Sequence, residues 1–127
     1  MAEAKRQRPL SPHLQIYRWP VTMATSIMHR MTGVGLYLGA LLLTWWLVAL
    51  ATGPDAYATF QAVAGSIIGI LILVGFTWAL IYHLLNGLRH LHWDAGSSFD
   101  NAKAEKSGVM VIVGSILFTA AFWLVLV

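Results

Sequence analysis

Cysteine is absent from this chain of 127 residues. Its absence excludes disulfides, thiolate zinc sites and any iron–sulfur cluster held by this chain alone. It also excludes the C-x-x-C-H signature of covalently attached haem. Charge is nearly as scarce, with eight Lys and Arg against five Asp and Glu, 10% of the residues. What fills the chain is apolar, 58% of it, and the mean hydropathy is +0.70. A soluble domain of this size buries only part of its surface and cannot hide so much apolar area from water. The bilayer is the natural solvent. A pI near 9.6 would suit nucleic acid, but the few cations flank hydrophobic runs, and membrane topology accounts for them better. No nucleic-acid partner is expected.

Three runs are long enough to span a hydrocarbon core about 30 Å thick. Met31 to Ala51 carries no charge, and its helix is expected to begin near Thr25, giving a first span over 25–52. The second covers 62–91 and turns polar only toward its end; the third covers 108–127. Residues 1–24 read as a cytoplasmic segment, 53–61 as an outer loop opened by the Gly53-Pro54-Asp55 turn signal, and 92–107 as a polar cytoplasmic loop. The expected fold is therefore all-α, an integral membrane protein of three transmembrane helices. All eight Lys and Arg lie before the first run or between Arg89 and the third, while the outer connection holds only Asp55. The positive-inside rule then puts the N-terminus in the cytoplasm and the C-terminus outside. Trp45, Trp46 and Trp93 suit interfacial belts at the span ends. The polar first twenty residues show no apolar h-region, and the opening is too short for a transit peptide. A bacterial cytoplasmic membrane is expected rather than a mitochondrial one. Gly65 and Gly69 form a G-x-x-x-G that would permit close helix approach, although glycine is common in membrane helices and that plainer reading is preferred for any one of them.

Two polar stripes interrupt the spans. His83, Asn86, Gly87 and His90 follow i, i+3, i+4 and i+7 and so share a helix face. His83 lies roughly 9 Å deeper than Arg89 at 1.5 Å per residue. A neutral imidazole there donates from one ring nitrogen and leaves the other for a metal. Gly87 removes a side chain one turn away, where a flat macrocycle would need room. One reading is an axial ligand to haem, of b type because no Cys is available. The other is a structural histidine bonded to a neighbouring helix, and the stripe alone leaves both open. No second axial ligand stands at matching depth, so another subunit would supply it.

Ser26, His29, Arg30 and Gly33 form the second stripe at the same spacing. Arg30 alone would snorkel to headgroups. With Ser26 and His29 it makes a compact donor cluster, suited to the oxygens of a quinone or the propionates of a haem. Arg89 and His90 would add positive charge at that level. His13 and His92 read as interfacial, Asp94 as a helix end or ion-pair partner, and the five Met as packing.

The two stripes sit in longer motifs. Arg8 to Gly33 contains R-P-x-S-P-H-x-x-I-Y followed by S-I-x-H-R-x-T-G, and His83 to Asp94 contains H-x-x-x-G-x-R-H-L-x-W-D. Together they resemble the cytochrome b membrane-anchor subunits of succinate dehydrogenase, respiratory complex II, and the likeness weakens only after Asp94. The resemblance implies that His83 is an axial ligand of haem b, shared with a second small anchor subunit that gives the other histidine. It implies that Ser26 and Arg30 line a ubiquinone pocket near the inner surface. His29, Arg30 and His90 would lie near the haem and its propionates, and Arg8 to Tyr17 would run against the iron–sulfur subunit. The flavoprotein subunit would carry the succinate chemistry, for which this chain has no machinery. The rival readings are an anchor of the fumarate reductase type, working in reverse on menaquinone, and a non-redox membrane scaffold.

Overall fold

The computed structural model describes residues 17–97 and 100–126. Arg8 and His13, and the docking role expected of the segment before Tyr17, lie outside the described residues. Four helices follow in order, α1 (Val21–Thr52), α2 (Pro54–Ala64), α3 (Ile67–Asp94) and α4 (Asn101–Leu126), with no strand among the described residues. Helices α1, α3 and α4 are each long and apolar enough to cross a membrane. The protein is an all-α bundle of three candidate spans, with α3 packed against both α1 and α4.

Helix α1 starts after Pro20, whose extended backbone and fixed φ set the entry, and the amides of Met23 and Ala24 bond back to the Pro20 carbonyl. Its 32 residues run about 48 Å at 1.5 Å per residue, so it must tilt or project beyond the hydrocarbon. It ends at Gly53, whose φ of +133° is a conformation that side chains disfavour.

The connection expected as an outer loop is helical. Gly-Pro-Asp opens a helix as readily as a turn, because Pro54 is preorganised for a first helical position and Asp55 favours the first turn. Helix α2 leans on the end of α1, with the Phe60 ring edge-on to Trp45 at 5.0 Å. Ser66 then caps α3 by accepting from the Gly69 amide at 3.1 Å. A Cβ on Gly69 would collide with the Val63 and Ala64 carbonyls, so this glycine serves the corner between α2 and α3. The close approach that G-x-x-x-G permits is used here at that corner, between α2 and α3. Close approach between spans instead occurs at Gly39, where the Phe76 ring fills the place of a Cβ. Helix α4 also starts earlier than hydropathy suggested, at Asn101 rather than 108. Residues 101–107 are too polar for lipid, yet Ala, Lys and Glu among them are strong helix formers.

The bundle is polar inside and apolar outside. Its buried apolar residues are few, Ala49, Ala79, Tyr82 and Val111, while Thr25, Thr32, Asn86, Arg89, Ser115 and Thr119 are also buried. Lipid removes the hydrophobic drive between helices, so small residues and hydrogen bonds must join them. Trp78 donates to Ser115 Oγ at 3.2 Å between α3 and α4. Tyr82 donates to the Thr25 carbonyl at 2.8 Å between α3 and α1.

Arg89 ties all three spans. Its Nε donates to Ser107 Oγ at 2.9 Å and its Nη2 to the Ala104 carbonyl at 2.8 Å, both on α4. Its Nη1 donates to Thr25 Oγ1 on α1 at 3.3 Å and to Asn86 Oδ1 on α3 at 3.2 Å. The guanidinium also sits 4.0 Å over the Trp93 ring. Gly108 lets α4 come this close, since a Cβ there would press on Val21, Thr25 and Arg89. Each acceptor stripped of its donor in such an interior costs about 1–3 kcal/mol. Arg89→Met is therefore expected to lower the thermal unfolding midpoint of the detergent-purified protein clearly. Arg89→Lys should recover only part of the loss, because an ammonium cannot reproduce the planar fork.

Candidate functional site

Helix α3 carries two polar faces side by side. Tyr82, Asn86 and Arg89, at i, i+4 and i+7, turn into the bundle and are buried. His83, Gly87 and His90 have the same spacing one residue on, and are half-buried. Asn86 was expected on the histidine face and Arg89 beside His90. Both belong instead to the inward face, because four acceptors on α1, α3 and α4 outcompete any surface position for the guanidinium.

The second face meets α1 at His29. The His29 and His83 rings stack with centroids 3.8 Å apart and planes 14° apart. His90 lies 5.4 Å from His29, tilted by 49°, and rests edge-on against Trp93 at 5.1 Å. Three of the five expected site residues thus form one cluster between α1 and α3. His83 Nδ1 is 3.2 Å from Thr32 Oγ1, one turn below His29 on α1. Gly33 completes the setting, because a Cβ there would stand 3.4 Å from His83 Cε1. A Cβ on Gly87 would meet nothing within 4 Å, so the surface beside His83 is open. His29 Nδ1 is buried with no hydrogen-bond partner, an orphaned polar atom at the cluster's heart.

Ser26 and Arg30 take another direction. They share an α1 face at i and i+4, Ser26 half-buried and Arg30 exposed, and neither makes a hydrogen bond or ion pair among the described residues. The structure does not join them to the histidines by any direct contact. His92 is exposed, and Asp94 is the last residue of α3.

The described residues hold no group of three or more His, Cys, Asp or Glu able to cage a metal. A metal held by a macrocycle would need only axial ligands from the protein. One imidazole with a free in-plane nitrogen, beside a glycine and against a helix surface, is what this chain would contribute to such a centre. The orphaned His29 nitrogen fits an acceptor or donor arriving with the same group.

The model of the succinate dehydrogenase/fumarate reductase transmembrane subunit family matches residues 4–122. The chain belongs to that family. It is 52% identical over 118 residues to the succinate dehydrogenase cytochrome b556 subunit of Paracoccus denitrificans, covering 92% of this chain and 91% of the relative. The corresponding subunit of Rickettsia felis is 41% identical over 121 residues, covering 95% and 94%. The mitochondrial cytochrome b560 subunit of Sus scrofa is 38% identical over 114 residues, covering 87% of this chain and 66% of its own. The chain is thus a membrane-anchor, cytochrome b subunit of succinate dehydrogenase, a multi-pass protein of the bacterial cytoplasmic membrane.

Sequence spacing found His83, His29 and His90 but passed over Thr32 and Tyr82. The signal for Tyr82 was present in its i, i+4, i+7 relation to Asn86 and Arg89. Thr32 stood only as the fixed Thr of the first motif, with no role assigned, since a lone Thr in a span ordinarily bonds its own helix. The packing at Gly33 makes a direct prediction. Gly33→Ala adds a methyl at ordinary contact distance and should leave the b-type absorption per purified complex near wild type. Gly33→Leu should displace the His83 ring and reduce that absorption severalfold.

Proposed function

We propose that this anchor subunit binds one haem b through His83 and lines the site where ubiquinone is reduced. The observation that carries the reading is the His29–His83–His90 cluster, held between two membrane spans with one His83 ring nitrogen uncommitted. His29, Arg30 and His90 would stand nearest the haem propionates, and the buried His29 nitrogen is the group that gains most from such a partner. The chain contributes one axial imidazole, so a second small anchor subunit would contribute the other. Bound haem supplies a one-electron carrier within the bilayer. As a succinate dehydrogenase subunit the chain works with flavoprotein and iron–sulfur partners.

The cationic end of the bundle is the cytoplasmic one in this reading. Arg18 and Arg30 at the start of α1, Arg89 at the end of α3, and Lys103 and Lys106 at the start of α4 lie together, because Tyr82 and Arg89 pin those ends side by side. A quinone site there receives protons from water while the isoprenoid tail stays in lipid. Reduction of quinone to quinol takes two electrons and two protons. Arg30, exposed and without an ion-pair partner among the described residues, would stabilise negative charge developing on a quinone oxygen. Ser26, one turn away, would donate a hydrogen bond to the same ring. The remaining contacts would come from partner chains. The relatives' names favour succinate oxidation over the fumarate-reducing direction.

Two measurements test the reading. In a dithionite-reduced minus oxidised spectrum of the purified complex, the sharp low-spin b-type bands of the wild type should be lost or shifted in His83→Leu. Identical spectra would return His83 to a structural role. Separately, Ser26→Ala and Arg30→Ala should slow quinone reduction, Arg30→Ala on the order of 100-fold as for the loss of one fixed electrostatic donor. Dye reduction by the flavoprotein in the same complexes should stay near wild type.

A further inference from the structure

Hydrogen counting at Thr32 decides which nitrogen of His83 carries the proton. Thr32 Oγ1 lies 2.9 Å from the Met28 carbonyl, 3.0 Å from the His29 carbonyl and 3.2 Å from His83 Nδ1. A hydroxyl owns one proton and two lone pairs. If that proton pointed at His83, two carbonyl oxygens would face the hydroxyl oxygen at hydrogen-bond distance with nothing between them, which is repulsive. With the proton on the helix carbonyls, both short contacts become attractive and a lone pair of Oγ1 turns toward the imidazole. His83 Nδ1 must then be the donor. The proton sits on Nδ1, and Nε2 is left as the lone-pair nitrogen, free of any partner among the described residues.

We infer that Thr32 is the positioning residue of the haem ligand: it fixes the Nδ1–H tautomer of His83, aims Nε2 at the iron, and raises the basicity of that nitrogen. This rests on His83 being the axial ligand. The chemistry is the general one in which a ligating imidazole donates its other N–H to an oxygen, which orients the ring and strengthens it as a ligand. Here the oxygen is itself held, because Thr32 is buried and its own proton is spent on the preceding turn of α1. Two further contacts fit the role. Stacking on His29 restrains rotation of the His83 ring out of its plane. Gly33, the next residue, leaves room for Cε1, so the Thr-Gly pair both holds the ring and clears its path. Helix α1 thereby sets the geometry of a ligand that α3 carries.

The test compares complexes carrying Thr32→Val, Thr32→Ala, Thr32→Ser and His83→Leu with wild type. Three quantities are read: haem per flavin, the half-time of haem transfer to apomyoglobin, and the haem midpoint potential. Val keeps the shape without the hydroxyl, Ala relieves packing as well, and Ser keeps the hydroxyl. Loss of an outer partner of a metal ligand weakens binding about 10- to 100-fold. Val and Ala should both release haem at least about tenfold faster, and both should show a raised midpoint potential, because a less basic imidazole stabilises ferric iron less. Ser should match wild type in all three. The inference is overturned if Val and Ala keep the wild-type half-time and potential, if Ser moves as far as Val, or if the hydroxyl-free variants lose flavin together with haem. His83→Leu separates the two levels. Retention of the b-type bands there removes the ligand assignment itself, whereas their loss beside silent Thr32 variants overturns only the role of Thr32.

Discussion

A guanidinium inside a helical bundle that faces lipid must find acceptors on its neighbours, and Arg89 finds them on every span. No carboxylate is among the acceptors that Arg89 reaches, so the charge is spread over two hydroxyls, an amide oxygen, a carbonyl and a tryptophan face. Such a group is expensive to bury and far more expensive to leave half-satisfied. That makes the arrangement of the three helix ends close to unique. Displacing α4 takes Ser107 and the Ala104 carbonyl out of reach of the fork, and displacing α1 takes Thr25, leaving guanidinium donors without acceptors. Gly108 and the buried Thr25 are the small residues that allow the helices to come near enough for the fork to reach both.

The site depends on that tie. Tyr82 and Arg89 bind α3 to the first turns of α1, and the same contact brings His83 and His90 to His29 on the adjoining face. A single helix thus spends one stripe on holding the bundle and the next stripe on the histidine cluster. The division explains why hydrophobic residues make so little of the interior. Leucines and isoleucines stand on the outside, where lipid or other membrane helices accept them, and the inward positions go to groups that can bond.

Separation of labour within the enzyme follows the same physical line. Succinate chemistry needs water and a flavin, and this chain offers neither a soluble surface nor a flavin site motif. What it offers is fixed polar groups toward the cationic end of the bundle: imidazoles between α1 and α3, and Ser26 with Arg30 on a neighbouring α1 face. In the proposed quinone site, electrons arriving from water-soluble partners would meet a lipid-soluble acceptor at this end, where protons are available and its tail stays in hydrocarbon.

Composition and spacing alone established the solvent, the three spans and the helix faces bearing His83, His29 and His90, and the two residue motifs carried the family resemblance. Those properties are local or additive: hydropathy sums along the chain, and i, i+4, i+7 spacing is a fact of helix geometry. Boundaries were less legible, because helix propensity runs on where hydropathy stops, as in 101–107, and because Gly-Pro-Asp can begin a helix as well as a turn. Which way Arg89 and Asn86 face, why Gly69 has no side chain, and what Thr32 touches were decided by the tertiary structure only. Arg89 and Thr32 depend on partners far away in sequence and Gly69 on the tight corner with Val63 and Ala64, and a helix stripe does not say which of its neighbours will satisfy a buried polar group. That choice belongs to the packed bundle, where every donor in hydrocarbon must meet an acceptor at once.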